Sequence, residues 1–215
     1  MKQGKFDALI FDFDGVLVES VDVKTQAFAA LYEQYGPEVV KRVVSYHLDH
    51  GGVSRFEKFR HFHQVFLGKP LLDKEEADLG ERFSQLVEDE VVASPYVKGA
   101  KEFLDTYYQT LPMFVASGTP DAELKRIVAR REMTHYFASV HGTPALKGEI
   151  LRGIVERHGY QRERVLMVGD ATTDYKGALE AGVSFLGRVV ENPGPFPMGT
   201  PALPDLTGLA AFLWN

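Results

Sequence analysis

Short apolar runs and amphipathic periods alternate along most of this chain. Ala8-Leu9-Ile10-Phe11 is an uninterrupted apolar run of strand length ending at Asp12, the pattern of a strand buried on both faces. Residues 113–116, 139–141, 165–168 and 183–186 predict further strands. Between them, apolar positions at helical spacing predict helices over 99–108, 122–131, 148–158 and 175–181, with a last short helix over 206–214. Strands alternating with helices imply a mostly parallel, doubly wound α/β sheet. The Pro- and Gly-rich stretch 192–204 predicts irregular surface chain, and no internal repeat interrupts the series.

The rhythm breaks once. Residues 20–94 hold no strand pattern; instead 21–35, 38–50, 54–66 and 73–92 each carry a helical period, punctuated by Gly36-Pro37, Gly51-Gly52 and Gly68-Lys69-Pro70. This predicts a module of roughly four helices, 19–94, inserted into a sheet-forming core made of 1–18 and 95–215. Phe56, Phe59, Phe62 and Phe66 form its packing stripe.

Composition narrows the function classes. At 215 residues and 45% hydrophobic, the chain is long enough for one large domain or a core with a smaller insert. Lys plus Arg number 24 against 30 Asp plus Glu, a net charge of −6 with no basic run, so a nucleic-acid partner is not expected. The absence of cysteine excludes disulfides, thiolate metal ligands and thiol nucleophiles, leaving oxygen or imidazole to hold any metal. Met1 to Lys5 lead straight into the first strand without an apolar signal segment, and no stretch is fit to span a bilayer. The expectation is a cytoplasmic protein without a membrane partner, monomeric or a small homo-oligomer.

The chemistry gathers at strand ends. Asp12 and Asp14 follow the first strand, and alternation along extended chain sends both to one side while Phe13 turns to the core. Two carboxylates in one small volume repel unless a divalent cation binds or one is protonated, and both conditions suit phosphoryl chemistry. The same residues also suit plain turn or cap roles. After the next strand come Ser117-Gly118-Thr119-Pro120, a hydroxyl and exposed amides leading into a helix, which form a phosphate cradle or a simple cap. Lys147 stands at a helix start, where the dipole disfavours a cation; an anionic site explains it, as does a solvated surface position. Gly169-Asp170 ends a later strand, and Asp174, one helical turn on, lies beside Asp170 or merely favours the helix N-terminus. Together with Asp12, these acids offer hard oxygen ligands of the kind Mg²⁺ takes.

In this combination the chain resembles the haloacid dehalogenase superfamily hydrolases of the phosphatase branch. Their subgroup with a helical first-position (C1) cap includes phosphoglycolate phosphatases and β-phosphoglucomutases. All four family motifs occur in order: Asp12-Phe13-Asp14-Gly15-Val16-Leu17, Ser117, Lys147, and Gly169-Asp170 with Asp174. The resemblance implies a Rossmann-like doubly wound parallel sheet, an inserted α-helical cap domain at 19–94, and a Mg²⁺ cofactor. It makes Asp12 the nucleophile and Asp14 the acid and base, with Ser117, Gly118 and Lys147 on the phosphoryl oxygens. Mg²⁺ would be held by Asp12, the Asp14 backbone carbonyl and Asp170, with Asp174 as ligand or close support. Closure of the cap would help to raise the Asp14 pKa by desolvation.

An acid at position 14 argues, within the family, for phosphate esters over halogenated acids or phosphonates. Sugar-phosphate mutases of this cap type carry a histidine ten residues later; this chain has Lys24 there, which favours hydrolysis. The expected function is therefore a Mg²⁺-dependent phosphomonoesterase acting on a small phosphorylated metabolite, a sugar phosphate or phosphoglycolate, through an aspartyl phosphate on Asp12. A sugar-phosphate mutase and, more weakly, a receiver-like signalling domain are the alternatives; receivers are roughly half this length. Specificity is expected from the insert, through Ser20, Gly52 and Arg55, Arg55 being equally suited to a solvent-facing helix start. His47, His50, His61 and His63 do not share one helical face, so a zinc site is not expected.

Overall fold

The computed structural model describes residues 5–190 and 193–214. Six parallel strands form one sheet in the order β3-β2-β1-β4-β5-β6: β1 (Ala8–Phe11), β2 (Met113–Pro120), β3 (Ser139–Thr143), β4 (Val165–Gly169), β5 (Ser184–Arg188) and β6 (Ala202–Leu203). The order reverses at β1, flanked by β2 and β4, and a crevice at the carboxyl ends of strands beside such a reversal is where open α/β sheets bind ligands. Asp12 and Asp170 sit at the ends of β1 and β4.

The unbroken apolar pattern of β1 has a direct cause. Ala8 and Ile10 face a layer built on Ile150, Leu151 and Ile154 of α7 (Lys147–His158) and on Ala178 and Ala181 of α8 (Thr172–Ala181). Leu9 and Phe11 face the opposite layer, where α5 (Ala100–Tyr107), α6 (Asp121–Arg130) and α9 (Leu209–Trp214) supply Phe103, Leu124 and Leu213. Phe13 is fully buried in that second layer, as strand alternation predicts.

Between β1 and β2 stands the helical insert: α1 (Val21–Tyr32), α2 (Pro37–Asp49), α3 (Arg55–His61) and α4 (Asp73–Ala93). Phe28 is its packing centre, with its ring 4.5 Å from that of Phe83 and 5.8 Å from those of both Phe59 and Phe62. The chain leaves and re-enters the core through paired segments: Glu19 N donates to Pro95 O at 3.0 Å and Val97 N to Leu17 O at 3.0 Å.

The structure differs from the sequence expectation in detail. The helix expected over 54–66 is α-helical only to His61 and continues as a π-helical turn, Phe62–Phe66. The first insert helix ends at Tyr32 and tightens to a 3₁₀ turn, because Gly36 (φ +88°) and Pro37 start the next helix immediately. The stretch expected to be irregular at 192–204 contains β6, recruited as an edge strand beside β5; Asn192 itself lies outside the described residues, as do Met1 to Gly4. Among the described residues, no helix is long and apolar enough to cross a membrane.

Candidate active site

Asp12 extends the β1–β4 ladder by one bond, its N–H donating to Val168 O at 2.9 Å, which carries its side chain to the sheet edge. Asp12 is 3% exposed, and its carboxylate lies 2.9 Å from the Lys147 ammonium. Lys147, the first residue of α7, also pairs with Asp174, which is fully buried. The other Asp174 oxygen accepts from Ala171 N at 3.0 Å, so this one residue both caps α8 and joins the acidic cluster. Asp12, Asp170 and Asp174 each place a carboxylate oxygen within 4.8 Å of the others. Gly15 makes this possible: at φ +75°, a Cβ there would stand 2.1 Å from Asp170 Oδ2.

The electrostatics show a site short of positive charge. Burial pushes Asp12 up and Lys147 pulls it back, but the Asp174 and Asp14 charges push it up again, to about 7. Burial, with the Asp12 and Asp174 charges, raises Asp170 well above the ordinary carboxylate range. Burial works to lower Lys147, yet Asp12 and Asp174 outweigh it and hold the ammonium above its usual range. Such an all-oxygen cluster fits a hard divalent cation, which would neutralise what one lysine does not.

Asp14 behaves differently: burial raises its pKa as expected, but its hydrogen-bond partners outweigh that effect. The Lys24 ammonium bonds its Oδ2, Ser20 Oγ donates to Oδ1 at 2.6 Å and Thr119 Oγ1 donates to Oδ2 at 3.0 Å. The net effect is a pKa below the ordinary value, so the resting group is a carboxylate. Lys24 is braced in turn by Thr119 Oγ1 at 2.7 Å.

Ser117 is 1% exposed at the carboxyl end of β2, and its Oγ accepts from Thr119 N at 3.2 Å. The insert is closed over this edge. Gly51 O accepts from Thr173 Oγ1 at 3.0 Å, while a Cβ on Gly52 (φ +71°) would meet Thr173 Oγ1 at 2.0 Å and one on Gly118 would meet Gly52 O at 2.5 Å. Two bare glycine backbones thus let insert and core touch. Between them lies a cavity of about 170 Å³ with Asp12, Asp14 and Ser117 on the core side and Lys24, Phe28 and Lys58 on the insert side.

The structure brings together Asp12, Lys147, Asp170 and Asp174, with Asp14, Ser117, Gly118 and Gly52 around the same cavity; Ser20 does not line it and is buried behind Asp14, to which its hydroxyl donates. Arg55 borders it too, but its guanidinium forks onto buried Glu123 of α6 at 2.9 and 2.5 Å and donates to Ser84 Oγ at 2.9 Å. Sequence reasoning passed over Thr119, Lys58, Glu123 and Thr173. Thr119 was within reach, since alternation from Ser117 puts both hydroxyls on one side. Lys58 had a signal as well: a lysine inside the phenylalanine stripe.

Residues 6–182 match the haloacid dehalogenase-like hydrolases, and the chain belongs to that family. It is 24% identical over 191 residues, covering 86% of both chains, to the phosphorylated carbohydrates phosphatase of Thermotoga maritima. It is 25% identical over 183 residues, 81% of this chain and 80% of the other, to the phosphoglycolate phosphatase of Aliivibrio fischeri. The crystal structure of a predicted phosphoglycolate phosphatase from Haemophilus somnus shares the fold, with a TM-score of 0.75 at 18% identity over 97% of this chain and 98% of that one.

Proposed function

We propose that the protein is a Mg²⁺-dependent phosphomonoesterase of small phosphorylated metabolites, a sugar phosphate or phosphoglycolate, working through an aspartyl phosphate on Asp12. The observation that carries this reading is the pairing of a buried carboxylate, Asp12, with Lys147 at 2.9 Å, beside a second carboxylate, Asp14, under separate hydrogen-bond control. The relatives named as phosphatases support it.

In the first step an Asp12 oxygen attacks phosphorus and the ester P–O bond breaks, the leaving oxygen taking a proton from Asp14. Asp14 rests as a carboxylate; the incoming phosphate dianion raises its proton affinity and loads it for that transfer. In the second step Asp14 takes a proton from water, whose oxygen attacks the same phosphorus and releases phosphate, restoring Asp12. Ser117, the Gly118 amide and Lys147 hold the phosphoryl oxygens throughout. Mg²⁺ held by Asp12, Asp170, Asp174 and the Asp14 carbonyl would supply the charge neutralisation the cluster needs. In this reading residues 19–94 move as a cap on a core of 1–18 and 95–215, and closure excludes water. Lys24, standing where the mutases carry histidine, supports hydrolysis over transfer to a second hydroxyl.

The test is Mg²⁺-dependent phosphate release from a panel of phosphorylated metabolites. Release by the native chain, abolished in Asp12→Asn, is the expected result; undiminished release from the folded variant overturns the reading.

A further inference from the structure

Lys58 is 2% exposed; among the described residues its ammonium hydrogen-bonds only to His47, at 2.9 Å to Nδ1 and 3.5 Å to the carbonyl oxygen, and lies 5.6 Å from the centre of the Phe28 ring. Among the described residues no carboxylate lies within ion-pair distance of it. An ammonium has three protons to donate, so the buried group is under-satisfied. Because ammonium can only donate, Nδ1 of His47 is the acceptor, and a neutral ring then carries its proton on Nε2. That Nε2 is buried and has no partner. One buried donor is therefore left without an acceptor beside an ammonium whose third proton has none, an arrangement proteins rarely retain without a purpose.

Both residues line the cavity over Asp14. The other cations there are answered: Lys24 by Asp14, Arg55 by Glu123. Asp49, also on the wall, is exposed and accepts from Ser45 at 3.5 Å. The apolar rings of Phe28 and Phe83 complete the surroundings. Burial and the nearby Lys24 charge bring Lys58 down to about 7, a cost that an arriving anion would reverse.

We propose that Lys58 and His47 form a subsite for a second acidic group on the substrate's leaving portion, a carboxylate or a second phosphate, so that the enzyme selects phosphomonoesters bearing two anions. The proposal rests on the phosphatase reading of the Asp12 site. It places the specificity determinant on α3 one turn beyond Arg55, whose guanidinium is already engaged.

Two measurements test it. The first compares kcat/KM for phosphoglycolate, a short alkyl bisphosphate and the alkyl monophosphate of matching length, in the native chain and in Lys58→Met. The native chain prefers one bis-anionic ester over the monophosphate by about tenfold or more, in line with a charge-assisted hydrogen bond in a dry site, and the preference collapses toward unity in the variant. Which of the two esters leads identifies the second group. Because the readout is a ratio, a loss of folded protein cancels. A native ratio near one, or an equal ratio in both chains, overturns the subsite while leaving the phosphatase reading intact.

The second measurement is independent of turnover. Binding of a carboxyalkyl phosphonate, a bisphosphonate and a plain alkyl phosphonate to the Asp12→Asn protein is measured with and without Lys58→Met. Lys58-dependent preference for a bis-anionic phosphonate upholds the subsite even if no ester is hydrolysed; its absence overturns it.

Discussion

Arg55 of the insert and Glu123 of the core meet in a two-bond fork, 2.9 and 2.5 Å, with the side chains 5% and 3% exposed. Their burial distinguishes them from the outer pairs on the same seam, such as Arg130 with Asp89, whose partners are 44% and 83% exposed. Exposed pairs contribute about 0–1 kcal/mol, whereas breaking a buried one strands a charge.

Glu123→Ala is expected to destabilise the protein by about 3–5 kcal/mol, since it leaves the Arg55 guanidinium buried without its counter-ion. Arg55→Met in the same chain recovers most of that loss. Urea denaturation checks both; a single-variant loss below about 1 kcal/mol would mean that the seam opens readily and the pair is hydrated.

Gly52→Ala is expected to reduce phosphate release at least about tenfold, because it introduces a Cβ 2.0 Å from Thr173 Oγ1 at a backbone φ of +71°. Thr173→Ala in the same chain recovers part of the rate by removing that oxygen. Gly36→Ala is the control for backbone strain alone, as its φ is +88° with nothing within 4 Å of the added carbon. Steady-state kinetics decide; equal losses at Gly36 and Gly52 would refute a close-contact role.

Metal binding carries a definite pH sign. Asp12 at about 7 and the raised Asp170 hold protons that a cation must displace, so Mg²⁺ affinity rises with pH through about 7. His47, pushed down to about 3 by burial and then Lys58, makes folding itself more favourable as pH rises from there to the ordinary histidine value. It contributes equally with and without the metal, so the difference between the two melts isolates the carboxylates. The Tm gain on adding Mg²⁺ is expected to be larger near pH 8 than near pH 5.5, and to vanish in Asp170→Asn. An equal gain at both pH values contradicts a proton-linked site.

Lys24→Met leaves burial of Asp14 opposed only by two hydroxyls. The Asp14 pKa then rises, and the limb of the kcat profile that Asp14 sets moves to higher pH with it. A purely structural role for Lys24 lowers the whole profile without moving its inflection.

What could be read without the structure was whatever depends on near neighbours in the chain. The buried β1 run, the inserted helices and the carboxylates at strand ends follow from periodicity and alternation. The six-stranded sheet and the convergence of Asp12, Asp170 and Asp174 then follow because parallel strands put their carboxyl ends on one edge. Boundaries were less legible where a neighbour intervenes, as at β6, which forms only because β5 offers a free edge.

The sequence by itself determined the scaffold and the acidic residues that gather at its sheet edge. Tertiary structure alone decided their state. Asp14 is held low by Thr119, 105 positions away, as well as by Lys24. Arg55 is satisfied by Glu123, 68 positions away, and Gly51 by Thr173, 122 positions away. Lys58 interrupts the phenylalanine stripe in the sequence, but that no carboxylate among the described residues reaches it shows only in the structure. Charge and hydrogen bonding act through space at a few ångströms, and the chain distance between partners carries no trace of that separation.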